Sequence, residues 1–140
     1  MTQKKTKSLV LIGVLLLFCN LAYGQVLKVR STSLSYKYKI NDYSWSEWSD
    51  PTETSVLIVL DEDIDRITIY SAKKQIYDIT ENDGKTTDSD GDEIWSFLCV
   101  NEDGLDCRVR LVRLNSQNGR LQLYVDFNDM NWVYNVYTLD

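Results

Sequence analysis

Apolar and polar side chains alternate through most of the chain after residue 25. The segment LQLYVDF at 121–127 repeats every second residue, and Leu34, Tyr36, Tyr38 and Ile40 alternate with the serines and lysines between them. A period of two is that of a β-strand with one buried face. No segment of useful length shows a helical repeat, so the pattern predicts an all-β protein.

The alternating segments and the turn residues between them predict about nine strands. These strands are expected at residues 26–40, 43–48, 55–60, 66–71, 75–80, 93–100, 106–116, 120–127 and 132–139. Because the connections are short, neighbouring strands should form sequential hairpins in one antiparallel meander. The expected fold is a small closed or nearly closed barrel, and a two-layer β-sandwich is the alternative.

Two turns predict a strand register. Asn118-Gly119 has the form of a two-residue hairpin turn, which would place Leu114 opposite Leu123 and Val112 opposite Val125. A three-residue loop at 102–104, with Gly104 in the left-handed conformation, would place Cys99 opposite Cys107. Directly opposed cysteines in an exported protein predict a disulfide between Cys99 and Cys107.

The N-terminus has the three parts of a secretory signal peptide. Lys4, Lys5 and Lys7 precede an apolar run at 9–18, and Ala22-Tyr23-Gly24 supplies small residues for cleavage after Gly24. The apolar run is about half the length of a membrane-spanning helix. Lipid attachment at Cys19 is disfavoured because the preceding residue, Phe18, is large. We therefore expect removal of residues 1–24, a single domain at 25–140, and a periplasmic or secreted location without stable membrane insertion.

The charge balance is acidic. The full chain carries a net charge of −6, and loss of the leader lysines makes the mature part more negative. An acidic surface repels phosphate backbones and anionic lipid heads. Nucleic acid is therefore not an expected partner, and the expected partner is an unidentified ligand or protein outside the cytoplasm.

The meander also predicts where charges gather. The acidic connections at 61–65 and 81–92 should share one end with Asn41-Asp42 and Asn118-Gly119, and Lys73-Lys74 should lie at the other end. The segment DSDGDE at 88–93 resembles part of a calcium loop of the EF-hand or dockerin kind. The resemblance implies calcium ligands at Asp88, Asp90 and Asp92, although Thr86 and Phe97 occupy positions where that family has acids.

Aromatic residues cluster near both ends of the mature chain. Trp45-Ser46-Glu47-Trp48-Ser49 matches the Trp-Ser-any-Trp-Ser box of cytokine receptors over five residues. That family places the box near the end of a fibronectin-like domain beside stacked arginines, and no arginine ladder is evident here. We therefore expect a chance match in a strand or edge loop with aromatic residues. If the first and last strands pair, the early and late aromatics meet. Trp45, Trp48, Trp132 and Tyr134 are then candidates for stacking on a ligand. The alternative, which the residues favour, is that these rings fill the core.

Catalytic chemistry finds little support in the residues. The chain contains no histidine, so Ser-His and Cys-His nucleophile pairs are excluded, and no phosphate-binding glycine loop is present. No cofactor is expected apart from the candidate calcium ion. The leading hypothesis is a non-catalytic binding or interaction module. The alternatives are a glycan hydrolase that uses carboxylates alone and a structural component of the cell envelope. An exposed aromatic strip or a roomy cavity would favour the binding module.

Overall fold

The computed structural model describes residues 25–139, and the predicted leader with Cys19 lies outside the described residues. The described part is almost entirely β-structure. Its strands are β1 Val26–Asn41, β2 Ser44–Trp45, β3 Thr52–Glu53, β4 Leu57–Asp61, β5 Arg66–Ile69, β6 Gln75–Thr87, β7 Glu93–Asn101, β8 Asp106–Leu114, β9 Arg120–Asp126 and β10 Met130–Thr138. No helix in this part of the chain is long and apolar enough to cross a membrane.

The strands close into an eight-stranded antiparallel barrel. From β4 to β10 each strand pairs with the next, and β1 pairs with β4 along one edge and with β10 along the other. This double pairing of β1 closes the sheet, which confirms the predicted barrel over the sandwich. The short strands β2 and β3 lie outside the barrel against β1.

The barrel interior is packed with side chains. Val29, Ile58, Ile67, Leu123 and Val125 are all 0% exposed and belong to one core cluster. An eight-stranded barrel is just wide enough for side chains to fill. Side chains therefore fill the centre of the interior, and a recess lies at each of its two ends.

Strand β6 is longer than the sequence predicts. It runs through the expected loop at 81–87, with register shifts between Ile79 and Glu81 and between Asn82 and Gly84. Gly84 has φ of +74° and donates its N–H to Asn82 Oδ1 at 2.9 Å. The Asn-Asp-Gly sequence is therefore a bulge within a strand, where a glycine with positive φ absorbs the extra residue.

The predicted register at Asn118-Gly119 is wrong. Leu111 lies opposite Leu123, and Val109 lies opposite Val125. Residues Asn115–Gln117 form one turn of 3₁₀ helix, which lengthens the connection. This longer turn is held by Asp92, whose Oδ1 accepts hydrogen bonds from the Ser116 N–H and the Ser116 hydroxyl, both at 2.9 Å.

The two ends of the barrel carry different turns. One, the acidic end, holds the connections 62–65, 88–92 and 115–119. The other, the lysine end, holds Lys73-Lys74, the 102–105 turn and the 127–129 turn. Asn41-Asp42 lies at the lysine end, contrary to prediction, because residues 44–61 run in one direction along β1 and make no turn at 49–54.

Candidate functional site

The four candidate aromatics do not form one site. Tyr134 is 3% exposed and belongs to the core. Trp132, two residues earlier on the same strand, lines a recess at the lysine end. Trp45 and Trp48 lie on the outer surface of the barrel and are 37% and 40% exposed. The barrel brings β1 and β10 together as predicted, but its wall separates the early tryptophans from the late ones.

The Trp-Ser-Glu-Trp-Ser segment does not continue as a strand. The Ser46 N–H donates to Tyr38 O at 2.8 Å, and the Tyr38 N–H donates to Ser46 Oγ at 2.9 Å. Ser49 makes the same pair of bonds with Tyr36, at 2.7 and 2.9 Å. Equivalent contacts therefore recur every third residue, which is the period of a polyproline II helix. The predicted strand at 43–48 is confirmed only for Ser44–Trp45.

A period of three also turns both tryptophans towards the same neighbour. The Lys37 ammonium lies 5.4 Å from the centre of the Trp45 ring and 4.9 Å from the centre of the Trp48 ring. Both distances are within the range of a cation–π interaction. The sequence shows no arginine ladder beside the box, and in the structure the cation that lies over both tryptophans is a lysine on the adjacent strand.

The stack continues across the outer surface of the barrel. Trp48 packs edge to face against Tyr124, with ring centres 6.1 Å apart. The Arg110 guanidinium lies 4.4 Å from the centre of the Tyr124 ring. Arg110 Nε in turn donates to Asp126 Oδ2 at 2.6 Å. We call Trp45, Lys37, Trp48, Tyr124 and Arg110 the outer ladder. Trp45 and Trp48 belong to the 44–54 segment, and their rings contact Lys37 and Tyr124 of the barrel strands. The outer ladder therefore holds this segment against the barrel.

A different set of aromatics lines the recess at the lysine end, which we call the aromatic cleft. Its volume is about 250 Å³, and its lining includes the strand residues Ile76, Tyr77 and Trp132 together with Phe127, where the β9–β10 turn begins. The Phe127 and Trp132 ring centres are 5.4 Å apart. Within residues 25–139, Trp132 Nε1 is the buried side-chain polar atom without a hydrogen-bond partner.

Charged turns border the aromatic cleft on two sides. Lys73 and Lys74 lie in the β5–β6 turn, and Glu102 and Asp103 lie in the β7–β8 turn. Among the described residues, neither pair forms a salt bridge with the other. The recess therefore combines an apolar floor with an unpaired cationic border and an unpaired anionic border.

An exposed aromatic strip extends from this cleft along β1. A register shift between Ser31 and Ser33 places Leu34 opposite the core residue Tyr134 and Tyr36 opposite Trp132. Tyr36, Tyr38 and Ile40 consequently share the inner face of β1, in the part of the strand that extends beyond its pairing with β4, and are 49%, 48% and 60% exposed. The sequence showed this alternation but gave no sign that the strand outruns the barrel.

The opposite end of the barrel has a second recess of about 210 Å³. Its walls are apolar, with Leu27, Leu60, Trp95, Phe97, Leu111 and Leu121, and its opening carries Gln25, Glu62, Arg113 and Thr138. Glu62 is the only carboxylate residue among the residues that line it. In the aromatic cleft the two carboxylates are adjacent in one turn. Thus neither described recess has carboxylates on facing walls, as a two-carboxylate hydrolase would need.

The candidate calcium residues do lie together. One carboxylate oxygen from each of Asp88, Asp90 and Asp92 falls within 4.8 Å of the others. However, Asp88 Oδ1 accepts the N–H groups of Asp90 and Asp92 at 3.0 Å, and Asp92 holds Ser116. These bonds explain the carboxylates of Asp88 and Asp92 as turn-forming groups, and Phe97, at the position of the loop's last ligand, is a core residue. Calcium binding stays a prediction, which isothermal titration of calcium into the protein tests.

The cysteine register is confirmed, although the disulfide is not formed in the structure. Cys99 lies opposite Cys107, and Gly104 has φ of +78° in the turn between them. Both residues are free thiols, buried on the inner face of the barrel. Burial raises the pKa of the Cys99 thiol to about 12 and that of the Cys107 thiol to about 11. The thiols are therefore protonated near neutral pH and are poor nucleophiles.

No protein-family model, characterised protein or solved structure matched this chain. The functional interpretation therefore rests on the geometry of the two aromatic groups and of the recesses.

Proposed function

We propose that the protein is a non-catalytic binding module that acts outside the cytoplasm and holds a small ligand in the aromatic cleft. The observation that carries the proposal is the continuity of the cleft with the exposed strip. Tyr36 is the cross-strand partner of Trp132, so open aromatic surface runs from the floor of the recess onto the projecting end of β1. The export signal in the sequence supports the location.

The size and lining of the cleft favour a small ligand with a planar apolar face. Pockets for drug-sized ligands usually have volumes of roughly 300–1,000 Å³, and the cleft, at about 250 Å³, lies below that range. Tyrosine and tryptophan rings bind planar groups through their faces and keep a polar edge for hydrogen bonds. A ligand acceptor that reaches Trp132 Nε1 would also remove the cost of a buried donor without a partner.

The cysteine pair below the cleft fits the same proposal. We infer that export to an oxidising compartment closes a disulfide between Cys99 and Cys107. Directly opposed residues on antiparallel strands have Cα atoms about 4.5–5.5 Å apart, which lies within the range that disulfides bridge. Asn101, which lines the cleft, is the next inward-facing residue on β7 after Cys99. The bridge would therefore fix the turn that forms one border of the cleft.

Binding of two neutral probes tests the proposal. Benzyl alcohol presents an aromatic face, and methyl β-glucoside presents the apolar face of a sugar ring. We expect at least one to bind the mature protein in a calorimetric titration, and we expect Trp132→Leu to weaken that binding about tenfold. Trp45→Leu, in the outer ladder, is the matched control and should leave it unchanged. Failure of both probes to bind at millimolar concentration, or equal effects of the two substitutions, would refute the proposal.

A further inference from the structure

The borders of the aromatic cleft carry opposite charges that face an apolar floor. Lys73 and Lys74 come from the turn between β5 and β6, and Glu102 and Asp103 come from the turn between β7 and β8. Because β6 and β7 are neighbours in the sheet, these two turns are adjacent at the rim of the barrel. The floor between and below them is formed by Ile76, Tyr77, Phe127 and Trp132.

This charge arrangement is not a consequence of ion pairing. The described salt bridges join Arg66 with Asp78, Lys85 with Glu93, Arg108 with Asp83 and Arg110 with Asp126, and none involves the four border residues. Lys74 instead lies 5.6 Å over the ring of Tyr70. The Asn101 side chain accepts the N–H groups of Asp103 and Leu105, which fixes the backbone of the acidic turn. Lys73, Glu102 and Asp103 therefore lie at the edge of the recess without a described ion-pair partner, whereas the Lys74 ammonium also contacts the Tyr70 ring.

We propose, building on the binding function above, that the ligand of the aromatic cleft is a zwitterion with an aromatic body, of the class of a free aromatic amino acid. Its carboxylate lies towards Lys73 and Lys74, its ammonium group lies towards Glu102 and Asp103, and its ring contacts Phe127 and Trp132. A ligand with one charge leaves one border without a partner. Complementary charges of this kind contribute chiefly to selectivity.

Three probes with the same phenyl ring separate the contributions of the carboxylate and of the ammonium group to the affinity. Phenylalanine carries both charged groups, 3-phenylpropanoate lacks the ammonium group, and phenethylamine lacks the carboxylate. Exposed ion pairs are weak and are screened by salt, so the titrations belong at low ionic strength. We expect phenylalanine to bind about fivefold more tightly than either analogue, and we expect this preference to shrink at high salt.

Charge reversal assigns each border to its group. The double variant K73E/K74E should weaken phenylalanine and 3-phenylpropanoate about fivefold and leave phenethylamine no weaker. The double variant E102K/D103K should weaken phenylalanine and phenethylamine about fivefold and leave 3-phenylpropanoate no weaker. K28E is the matched control, because Lys28 is exposed on β1, opposite Val59, and is absent from the lining of the cleft. Both double variants should fold, because the four substituted residues lie in exposed turns: Lys73, Lys74, Glu102 and Asp103.

The outcomes distinguish the two proposals. Equal affinity for all three probes, with binding still lost in Trp132→Leu, would overturn the zwitterion class and leave the binding function standing. Absence of binding by all three, together with failure of the neutral probes, would overturn both. If K28E changes the affinities as much as K73E/K74E does, net charge and not the cleft determines them, and the assignment of the borders is wrong.

Discussion

The molecule contains two aromatic groups that differ in what lies over their rings. In the outer ladder, Lys37 and Arg110 lie over the rings of Trp45, Trp48 and Tyr124. In the aromatic cleft, Phe127 and Trp132 contact each other and have no described cation over their faces, and Tyr36 and Tyr38 extend this surface into solvent. Trp45 and Trp48 are 37% and 40% exposed, Trp132 is partly buried, and Tyr36 and Tyr38 are about as exposed as the outer tryptophans, so exposure alone does not separate the two groups.

The difference supports the proposal that the rings of the aromatic cleft, and not those of the outer ladder, accept a ligand. A ring whose faces contact a lysine or an arginine has already exchanged water for a protein partner, and a ligand gains little by displacing that partner. A ring that opens into a recess has no such competitor. We therefore assign the outer ladder to the stability of the 44–54 segment and the aromatic cleft to binding.

The largest expected effect is on the stability contributed by the outer ladder. Trp48→Ala removes the contacts with both Lys37 and Tyr124. Truncation of a core tryptophan costs roughly 3–5 kcal/mol, and since Trp48 is 40% exposed, we expect a loss of about 3 kcal/mol or slightly less. Chemical denaturation measures it. Tyr43→Ala is the control, because Tyr43 is 98% exposed and its truncation should cost little.

Disulfide formation below the cleft should have a slightly smaller effect on the free energy of unfolding. Closing the short loop between Cys99 and Cys107 should stabilise the protein by about 2.5 kcal/mol. Denaturation with and without reductant gives this difference, and Cys107→Ala should abolish the dependence on reductant. A protein purified from an oxidising compartment with two free thiols would contradict the disulfide.

Alkaline pH should distinguish the reduced protein from the bridged one. The unfolded thiols lose their protons near pH 9, whereas burial holds the pKa of Cys99 at about 12 and that of Cys107 at about 11 in the folded state. Between these values the unfolded state binds fewer protons, so the free energy of unfolding must fall as pH rises. We expect an excess loss on the order of 1 kcal/mol for each thiol by pH 10 in the reduced form. Equal slopes in both forms would argue against buried thiols.

The smallest expected effect concerns the cation of the outer ladder. Lys37→Met keeps the aliphatic stem but removes the charge that lies over Trp45 and Trp48. Exposed cation–π interactions contribute about 0.5–1 kcal/mol, so we expect a loss in that range by thermal or chemical denaturation. Lys73→Met, at the rim of the cleft, should not destabilise the protein. The reverse result would exchange the roles that we assign to the two groups.

Sequence patterns predicted the barrel because alternation and turn chemistry are local. They also predicted that Cys99 lies opposite Cys107, since one three-residue turn sets that register. They failed where a distant group intervenes, as when Asp92 holds Ser116 and lengthens the 115–119 connection. The sequence patterns also failed at Asn82-Asp83-Gly84. These residues are equally suited to a turn and to a bulge, and pairing with the neighbouring strand determines which of the two forms.

The candidate site was only partly accessible from the sequence. The period of three in Trp-Ser-Glu-Trp-Ser was visible, and it could have indicated a segment other than a strand with both tryptophans on one side. The partner Lys37 was not identifiable, because its position depends on which strand lies alongside. The aromatic cleft needs the closed barrel, since its lining comes from β6, β7, β10 and three separate turns.

The central claim is that the aromatic cleft binds a ligand and the outer ladder does not. The most direct test follows the indole N–H signals of Trp45, Trp48, Trp95 and Trp132 by nuclear magnetic resonance during a titration with phenylalanine, after assignment by single Trp→Phe substitutions. We expect a saturable shift of the Trp132 signal and constant signals from Trp45 and Trp48. A shift confined to Trp45 and Trp48, or no shift of Trp132 at saturating phenylalanine and with the neutral probes, would contradict the account.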